Sequence, residues 1–542
     1  MRKLYALILL ALAGTGSAFA QWNTNATPKL IFGLDYTDPL TGEAKTGGDY
    51  YACSPKVART ADKKTWISWK TARSFELNGI VHSGECTYLQ LLDINGVPQF
   101  EEPILVNDHA TPSWWSQYAL RVAADGSAIV TVADSRAEEA DLTERNGQAF
   151  TPAIYKIDQE GNFLWGLDGI EYRNVPDGPY TNAFVAGDDT YFVYARTDGD
   201  EAGTYIQRIS ADGVELWDEP MRWPGDLTLQ LQIWPTTNNE VLVFDGCPDG
   251  ARVHRMDKDL KEEVWGDAVI YDDYKYEGYE MNHYRIVSDG NGGVCVAFLR
   301  NMGNFSHNIR VQHINEDGSL GFGLTGLDAY NADAYDHNYP SIAANPETQE
   351  ILVQFASDQG DGKVVHQKFS YDGDYLYDEL GLAIASKIAE TSGSYFYSLV
   401  GVGSLSGGDW ICCYRDLAGY NSSSFVIRRY DKDGNRVWTK TIGRELGPND
   451  VQFVVEEEAA YLFYRETKSG KEPGIKIFRI GADGTYNVTY PEQDTPVGIR
   501  ENIREITTDN RYYSIDGKQL TQPQHGLNIV RQGDGTVRKL LR

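Results

Sequence analysis

An all-β ring of repeats is the fold class the sequence predicts, and three observations carry that prediction. The first is a phrase most legible at 427–438, IRRYDKDGNRVW, which reads as a strand, a tight Asp-Gly turn and a second extended stretch ending in a large aromatic. The second is that two further strand-like runs precede every copy of the phrase. The third is the period of the whole unit, roughly 50 residues, sustained along most of the 542-residue chain. Four short strands per unit, each unit unable to cover both of its own faces, specify blades stacked in a closed ring: an eight-bladed β-propeller, with seven blades as the alternative.

In register, the phrase recurs as YLQLLDINGVPQF (88–100), YKIDQEGNFLW (155–165), IQRISADGVELW (206–217), VHRMDKDLKEEVW (253–265), VQHINEDGSLGF (311–322), HQKFSYDGDYLY (366–377), IRRYDKDGNRVW (427–438) and IFRIGADGTYNV (477–488). In seven of these a turn Gly stands four residues before a bulky residue: Gly96/Phe100, Gly161/Trp165, Gly213/Trp217, Gly318/Phe322, Gly373/Tyr377, Gly434/Trp438 and Gly484/Val488. Gly between alternating apolar runs marks a reversal that needs positive φ. The copy ending at Trp265 is one residue longer and has no Gly at the turn. The aromatics are expected to pack between neighbouring blades. Ahead of the phrases lie second strands such as TWISWK (65–70), TYFVYA (190–195) and WICCY (410–414), and inner strands such as LRVAAD (120–125), YRIVSD (284–289) and VQFVVEE (451–457).

From its start, the chain reads as follows. Residues 1–20 have a basic start at Arg2 and Lys3, an apolar core from Tyr5 to Leu12 and the small-residue pattern Ala18-Phe19-Ala20, which together predict a secretory signal peptide. No later run is long and apolar enough for a transmembrane helix. LIFGLDY (30–36) is expected to close the ring by joining the last blade. The propeller is assigned 21–495, a polar linker 496–511 and a tail 512–542. The formal charge of −29 disfavours nucleic acid and anionic membrane surfaces as partners. Six cysteines are few for an exported chain of this length. Cys53 and Cys86 are a candidate pair, Cys295 is expected as a buried thiol, and Cys412 and Cys413 as two unlinked core thiols on opposite faces of one strand.

The predicted binding face is the rim shared by the inter-blade loops and the loops after the second strands. The inter-blade loops are dense in aromatics: Trp114, Trp115 and Tyr118; Tyr180; Tyr271, Tyr274, Tyr276 and Tyr279; Tyr330, Tyr335 and Tyr339; Tyr395, Phe396 and Tyr397. The second strands end in cations: Lys70, Arg196, Arg300, Arg415 and Arg465. Of these, Trp114, Trp115, Tyr180, Tyr276, Tyr335, Tyr397, Arg196, Arg300, Arg415 and Arg465 are the candidate binding residues. Aromatic platforms and a circle of basic groups suit sugars, peptides or acidic glycans. The competing reading is that the tyrosines wedge loops together and each Arg pairs with a nearby carboxylate.

No catalytic residues, metal ligands or cofactor are assigned. Asp-Gly turns such as DKDGN (431–435) lack the later bidentate Glu of a calcium loop. His109, His283 and His337 precede inner strands of different blades, and a zinc site would require them to converge. SADGVELW (210–217) departs from the sialidase Asp-box because Gly directly follows Asp. The turn-plus-Trp phrase more closely resembles the tryptophan-docking repeat of eight-bladed quinoprotein-like propellers. In their dehydrogenases that resemblance implies a quinone, calcium and a vicinal disulfide; Cys412-Cys413 is the feature that fits.

In the tail, YYSIDGKQLTQPQHGLNIVRQGDGTVRKLLR (512–542) has an aromatic strand, Asp516-Gly517-Lys518, then Gly526-Leu527-Asn528-Ile529-Val530-Arg531 and a basic apolar end. It resembles the C-terminal sorting domain of type IX secretion cargo over about 30 residues, with Asn528 where Tyr is common. That resemblance implies engagement of the secretion machinery through the tail and passage across an outer membrane to the cell surface or medium. The repeats also resemble those of uncharacterised surface proteins with such tails; Trp165/Gly169, Phe322/Gly326 and Tyr377/Gly381 keep their Trp-x-x-x-Gly spacing. The function expected is a non-enzymatic binding or adhesion module for carbohydrate or protein. The alternatives are a secreted polysaccharide hydrolase or lyase with carboxylates around the channel, and a structural scaffold of a surface complex.

Overall fold

The computed structural model describes residues 22–33, 36–37, 44–45, 55–77, 80–107, 118–134, 149–172, 175–176, 180–196, 199–224, 231–236, 239–247, 250–272, 285–303, 306–330, 337–357, 363–386, 399–417, 423–445, 449–466, 474–486, 511–514, 519–520, 527–531 and 537–541. Its strands form eight small antiparallel sheets, each read inner strand to outer strand in chain order, and the eight-bladed reading holds. Blade 1 is Lys56–Arg59, Thr65–Leu77, Ile80–Leu92 and Ile104–Leu105; blade 7 is Leu399–Ser404, Trp410–Leu417, Ser423–Tyr430 and Arg436–Glu445. Blade 8 takes three strands from the end of the ring, Asn449–Glu456, Ala459–Glu466 and Gly474–Gly481, and its outer strand, Lys29–Gly33, from the beginning. Lys29 lies opposite Ile477 and Gly33 opposite Gly474, so the ring is closed by hydrogen bonds between its two ends. The copy at 477–488 therefore does not supply its own outer strand: the N-terminal segment takes that place. Residues Thr489–Arg542 form a second compact unit, in which Arg511–Ser514, Gln519–Leu520, Leu527–Arg531 and Val537–Leu541 make one antiparallel sheet.

The recurring phrase is a latch between blades. Its turn closes with a hydrogen bond from the fourth residue back to the first, as in Gly161 N to Asp158 O at 3.0 Å and Gly434 N to Asp431 O at 3.0 Å. The turn Gly has positive φ, 83° at Gly213, and its missing side chain makes room for the aromatic of the preceding blade. Phe100 packs on Gly161, Trp165 on Gly213, Trp265 on Gly318, Phe322 on Gly373, Tyr377 on Gly434 and Trp438 on Gly484. Trp22, ahead of the closing strand, packs on Gly96 and completes the circle. Each docked indole donates to the carbonyl two residues before the Gly: Trp22 to Ile94 at 2.8 Å, Trp165 to Ala211 at 3.2 Å, Trp265 to Glu316 at 3.2 Å and Trp438 to Ala482 at 2.9 Å. In blade 4, Leu260 replaces Gly at φ 55°, and Trp217 donates to the Asp259 side chain at 3.4 Å instead.

In most blades the aromatic does not lie in a regular strand. Only an isolated bridge such as Ile157 with Phe163 or Ile314 with Leu320 follows the turn, and the outer strand begins later. The Trp-x-x-x-Gly spacing serves this second reversal. Gly169, Gly326 and Gly381 have φ of 67°, 67° and 64°, and a side chain there would meet the carbonyl oxygens of Ile154, Val311 and His366 at 2.6, 2.5 and 2.6 Å.

A second layer of the latch is ionic. Two positions before the turn, seven of the eight third strands carry a cationic side chain or histidine: Lys156, Arg208, Arg255, His313, Lys368, Arg429 and Arg479, with Leu91 in blade 1. Six of them meet a carboxylate at their own blade's first hairpin: Lys156 with Asp125 at 2.8 Å, Arg208 Nε with Asp189 at 2.9 Å, Arg255 with Glu240 at 2.6 Å, His313 with Asp289 at 3.0 Å, Lys368 with Glu350 at 2.8 Å and Arg429 with Asp409 at 2.6 Å. They also reach the next blade's turn, and Lys156, Arg255 and Arg429 share the carbonyls that accept the docked indoles. A charge buried between blades requires this neutralisation.

Cys412 and Cys413 are unlinked, so the vicinal disulfide of the quinoprotein resemblance is not formed. Consecutive strand residues face opposite sides, and the two thiols fall in different apolar clusters, Cys413 beside Ile411 and Ile427 and Cys412 beside Tyr414 and Tyr430. Burial pushes Cys412 up to about 12 and Cys413 well above the ordinary thiol range. Cys295 is likewise buried, whereas Cys53 lies outside the described residues. Thiol reagents applied to native protein should leave Cys295, Cys412 and Cys413 unmodified until urea unfolds it, as peptide mapping would register; fast native modification would contradict this burial.

Candidate functional site

The face bearing the inter-blade loops is the candidate binding face. Trp114, Trp115, Tyr276, Tyr335, Tyr397, His109 and His283 lie outside the described residues, as do the side chains of His337 and Tyr339. The loop aromatics that are described are wedges. Tyr271 is fully buried, with ring centroids 6.2 Å from Phe244 and 5.7 Å from Phe298. Tyr330 is buried against Phe355, and Tyr118 beneath Lys70, whose Nζ lies 5.2 Å from the ring centre. Tyr180 is half-buried, its carbonyl accepting from Ala195 N at 3.2 Å.

The five second-strand cations do not form one circle. Counted by pairing with the third strand, Lys70 opposite Thr87, Arg415 opposite Phe425 and Arg465 opposite Ile475 share one level. Arg196 opposite Gly203 and Arg300 opposite Asn308 stand one residue further, on the other face of their sheets. Arg196 pairs with Glu201. Lys70 and Arg465 are buried on either side of the seam between blades 1 and 8, where Glu85 is their acidic neighbour.

A different set of residues stands at matched depth on the inner strands. Each blade's inner strand has an apolar residue at one level, Val57, Leu120, Ala183, Ile233, Ile286, Ile342, Val402 and Phe453 in chain order, paired to equivalent points of the second strands. One residue nearer the inter-blade loops the level reads Lys56, Ala119, Asn182, Gln232, Arg285, Ser341, Gly401 and Gln452. Six of these eight are polar, and Arg285 is exposed while Lys56, Asn182, Gln232 and Gln452 are half-buried. Arg121, one residue past the apolar level in blade 2, donates to Asn182 Oδ1 at 3.0 Å across the blade boundary. Asn182 Oδ1 also accepts from Ala183 N at 2.9 Å, which orients the amide. Burial lowers the pKa of Arg121 from the usual guanidinium range.

Carboxylates are scarce on these walls. Of the eight inner strands only the last contains acids, Asp450 and Glu456, and Glu456 is held by Arg59 in two bonds of 2.8 and 2.7 Å. Among the described residues no group of three or more His, Cys, Asp or Glu is placed to hold a metal. The Asp-Gly turns spend their carboxylates internally: Asp431 accepts from Asp433 N at 3.0 Å and from Asn435 N at 2.8 Å. Among the described residues, no helix is long and apolar enough to cross a membrane.

The sequence reading missed the channel level. Its signal was present, as a polar residue immediately before the apolar residue in six of the eight inner strands. Aligning these strands requires their pairing, because backbone irregularities at 338–341, 399–401 and 449–452 shift the count in three blades.

No family model and no curated protein matches the chain. Among solved structures, the chain is similar to prolyl oligopeptidase B from Galerina marginata bound to a 25mer macrocyclization substrate, at 13% identity and TM-score 0.35, covering 77% of this chain and 55% of that one. It therefore spans about half the length of that enzyme. A protein from Lactobacillus plantarum matches at 13% identity and TM-score 0.36, covering 66% of this chain and 92% of that one. A subtype N11 neuraminidase-like protein of A/flat-faced bat/Peru/033/2010 matches at 12% identity and TM-score 0.32, covering 56% and 88%. Likenesses this distant assign no chemistry to the chain.

Proposed function

We propose that the propeller is a non-enzymatic binding module, exported to the cell surface or medium, that takes carbohydrate or protein at the loop-bearing end of its channel. The observation that carries this reading is the level of Lys56, Asn182, Gln232, Arg285, Ser341 and Gln452, six polar residues from six different blades at one depth. Asn and Gln side chains both donate and accept, as sugar hydroxyls and peptide groups do. A set drawn from separate blades converges only because the ring closes, and ring closure is what the latches enforce. Export rests on the signal pattern of 1–20 and on the resemblance of 512–542 to type IX sorting domains. Trp114, Trp115 and Tyr276, in the adjoining loops, complete the proposed rim as stacking platforms.

The test is a glycan array and a protein-display screen of the exported chain, with thermal shift as the second readout. A ligand should raise the unfolding temperature, and the shift should shrink in Asn182→Ala and Gln452→Ala. Silence across both panels, or a ligand whose effect ignores these substitutions, would remove the channel mouth as the binding site.

A further inference from the structure

We infer that the boundary between blades 2 and 3 carries a second interaction surface, on the latch side of the ring, that takes a cationic amphipathic segment of a partner protein. It does not depend on the channel-mouth reading.

Two consecutive latches build the surface. Leu164 N donates to Lys156 O at 2.8 Å and Leu216 N to Arg208 O at 2.8 Å, so each residue runs extended beside its third strand. The residues that follow, Trp165 and Trp217, turn in toward the next blade, and alternation turns Leu164 and Leu216 outward. Val214 follows the Gly on which Trp165 packs, its N–H held by Ser210 Oγ at 3.1 Å. Leu167 lies between Trp165 and the second reversal at Gly169. Leu164 is 46% exposed, Leu167 and Val214 59% each, and Leu216 41%. Trp165 and Lys156 both bind Ala211 O, at 3.2 and 3.0 Å, so the two hairpins are tied together and the patch is preformed.

The latch itself does not require these side chains. After the turn Gly, where blade 3 has Val214, other blades carry Asn162, Ser319, Asp374, Asn435 and Thr485. Two residues past the aromatic, where blade 2 has Leu167, others carry Glu102, Glu219, Asp267 and Glu379. Of the eight boundaries, this one alone joins an aliphatic residue before the docked aromatic, Leu164, to an aliphatic residue beside the receiving Gly, Val214. Single exposed aliphatics are ordinary, whereas a group of four marks an interaction site.

Charge selects the occupant. No Lys or Arg occurs in 157–172 or 209–221, while Glu160, Asp168, Asp212, Asp218 and Glu219 are exposed around the aliphatics. Glu215 is exposed too and accepts from the Tyr172 hydroxyl and from Gln207 Nε2. Lys156 and Arg208, which border these stretches, are buried in ion pairs with Asp125 and Asp189. Elsewhere an exposed aliphatic beside a docked Trp has cations on its own hairpin: Lys258 and Lys261 with Val264, Lys432 and Arg436 with Val437. An aliphatic patch rimmed by carboxylates repels its own copy and an anionic membrane. It attracts a segment whose apolar anchors are flanked by Lys or Arg.

The experiment titrates the exported full-length chain with a fluorescent Leu/Lys amphipathic peptide at low and high salt. The parent should bind at least about tenfold more tightly than the triple variant Leu164→Gln, Leu167→Gln, Val214→Thr, which keeps every charge. Asp212→Asn combined with Asp218→Asn and Glu219→Gln should weaken binding by about the same factor and flatten its salt dependence. Leu164→Met with Val214→Ile should retain binding. All these side chains are exposed, so unchanged unfolding midpoints separate lost docking from lost fold. Leu324→Gln with Leu376→Gln, at the acid-rich boundary of blades 5 and 6, should leave the affinity unchanged. No binding, no loss in the triple variant, or an equal loss in this last pair overturns the inference. Self-association of the parent that the triple variant abolishes would assign the surface to a second copy, and vesicle binding that it abolishes would assign it to lipid; either overturns the cationic partner.

Discussion

Gly213→Ala should destabilise the protein by about 2–5 kcal/mol, whereas Gly166→Ala should cost only about 1–2 kcal/mol. Both glycines have positive φ, 83° and 90°, so both substitutions carry the strain of a side chain in the left-handed region. They differ in what the new Cβ meets. At Gly213 it lies 2.5 Å from Cδ1 of Trp165, the docked aromatic of the preceding blade, and 2.9 Å from Cγ. At Gly166 there is nothing within 4 Å. The indole cannot retreat without breaking its bond to Ala211, where Lys156 is also bound at 3.0 Å. The difference between the two urea-unfolding midpoints therefore isolates the latch from backbone strain. Equal losses at the two sites would show that the aromatic yields freely and that the latch contributes no packing.

The second large effect is on pH dependence at the seam where the ring closes. Burial pushes the Glu85 carboxyl up to about 7, with Lys70 of its own blade and Arg465 of blade 8 opposing the shift. Among the described residues, its Oε2 has no hydrogen-bond partner. An acid whose folded pKa lies above its unfolded value of 4.5 takes up a proton on folding, so the folded state is favoured at low pH. Stability from this group falls as pH rises between about 4.5 and 7, and the loss is complete above 7. The full interval corresponds to at most about 3 kcal/mol. Glu85→Gln should flatten that part of the profile, matching the parent near pH 5 and exceeding it by about 1–3 kcal/mol near pH 8. Parallel profiles for parent and variant would show that Lys70 and Arg465 fully compensate the buried charge.

The architecture was legible because the latch is local. A Gly at the turn and an aromatic four residues on are spaced by the geometry of one reversal, so Gly161/Trp165 and Gly434/Trp438 stand out in a single chain. The partner relation was not legible: Trp165 docks on Gly213 of the next blade, not on its own Gly161. The ionic layer was equally visible as letters, in QRIS, HRMD, QKFS and RRYD, yet went unread. Alternation along a strand normally sends such a residue to solvent, but in a ring both faces of every blade are covered by neighbours, and Arg208, Arg255 and Lys368 are buried. The neighbouring Gln was hidden for the same reason. Gln90, Gln207, Gln312 and Gln367 each hold the backbone beyond the turn, as in Gln207 to Trp217 O at 3.0 Å. The site was the least legible part. Its residues share a depth only after eight strands are paired, and five of the second-strand cations that looked like one circle divide between two levels.

The closing strand sets a condition on biosynthesis. Lys29–Gly33 is among the first segments of the ring to be made, and its partner Gly474–Gly481 belongs to the last blade. Until that blade exists, the earliest strand has an unpaired edge and Trp22 is held only by the first turn. A chain truncated anywhere before residue 481 leaves the circle open at the same joint, whatever the state of the blades between. The fold thus tests its own completeness. Every finished copy has joined its first strand to its last, and every unfinished one exposes two free sheet edges for a protease or chaperone to find.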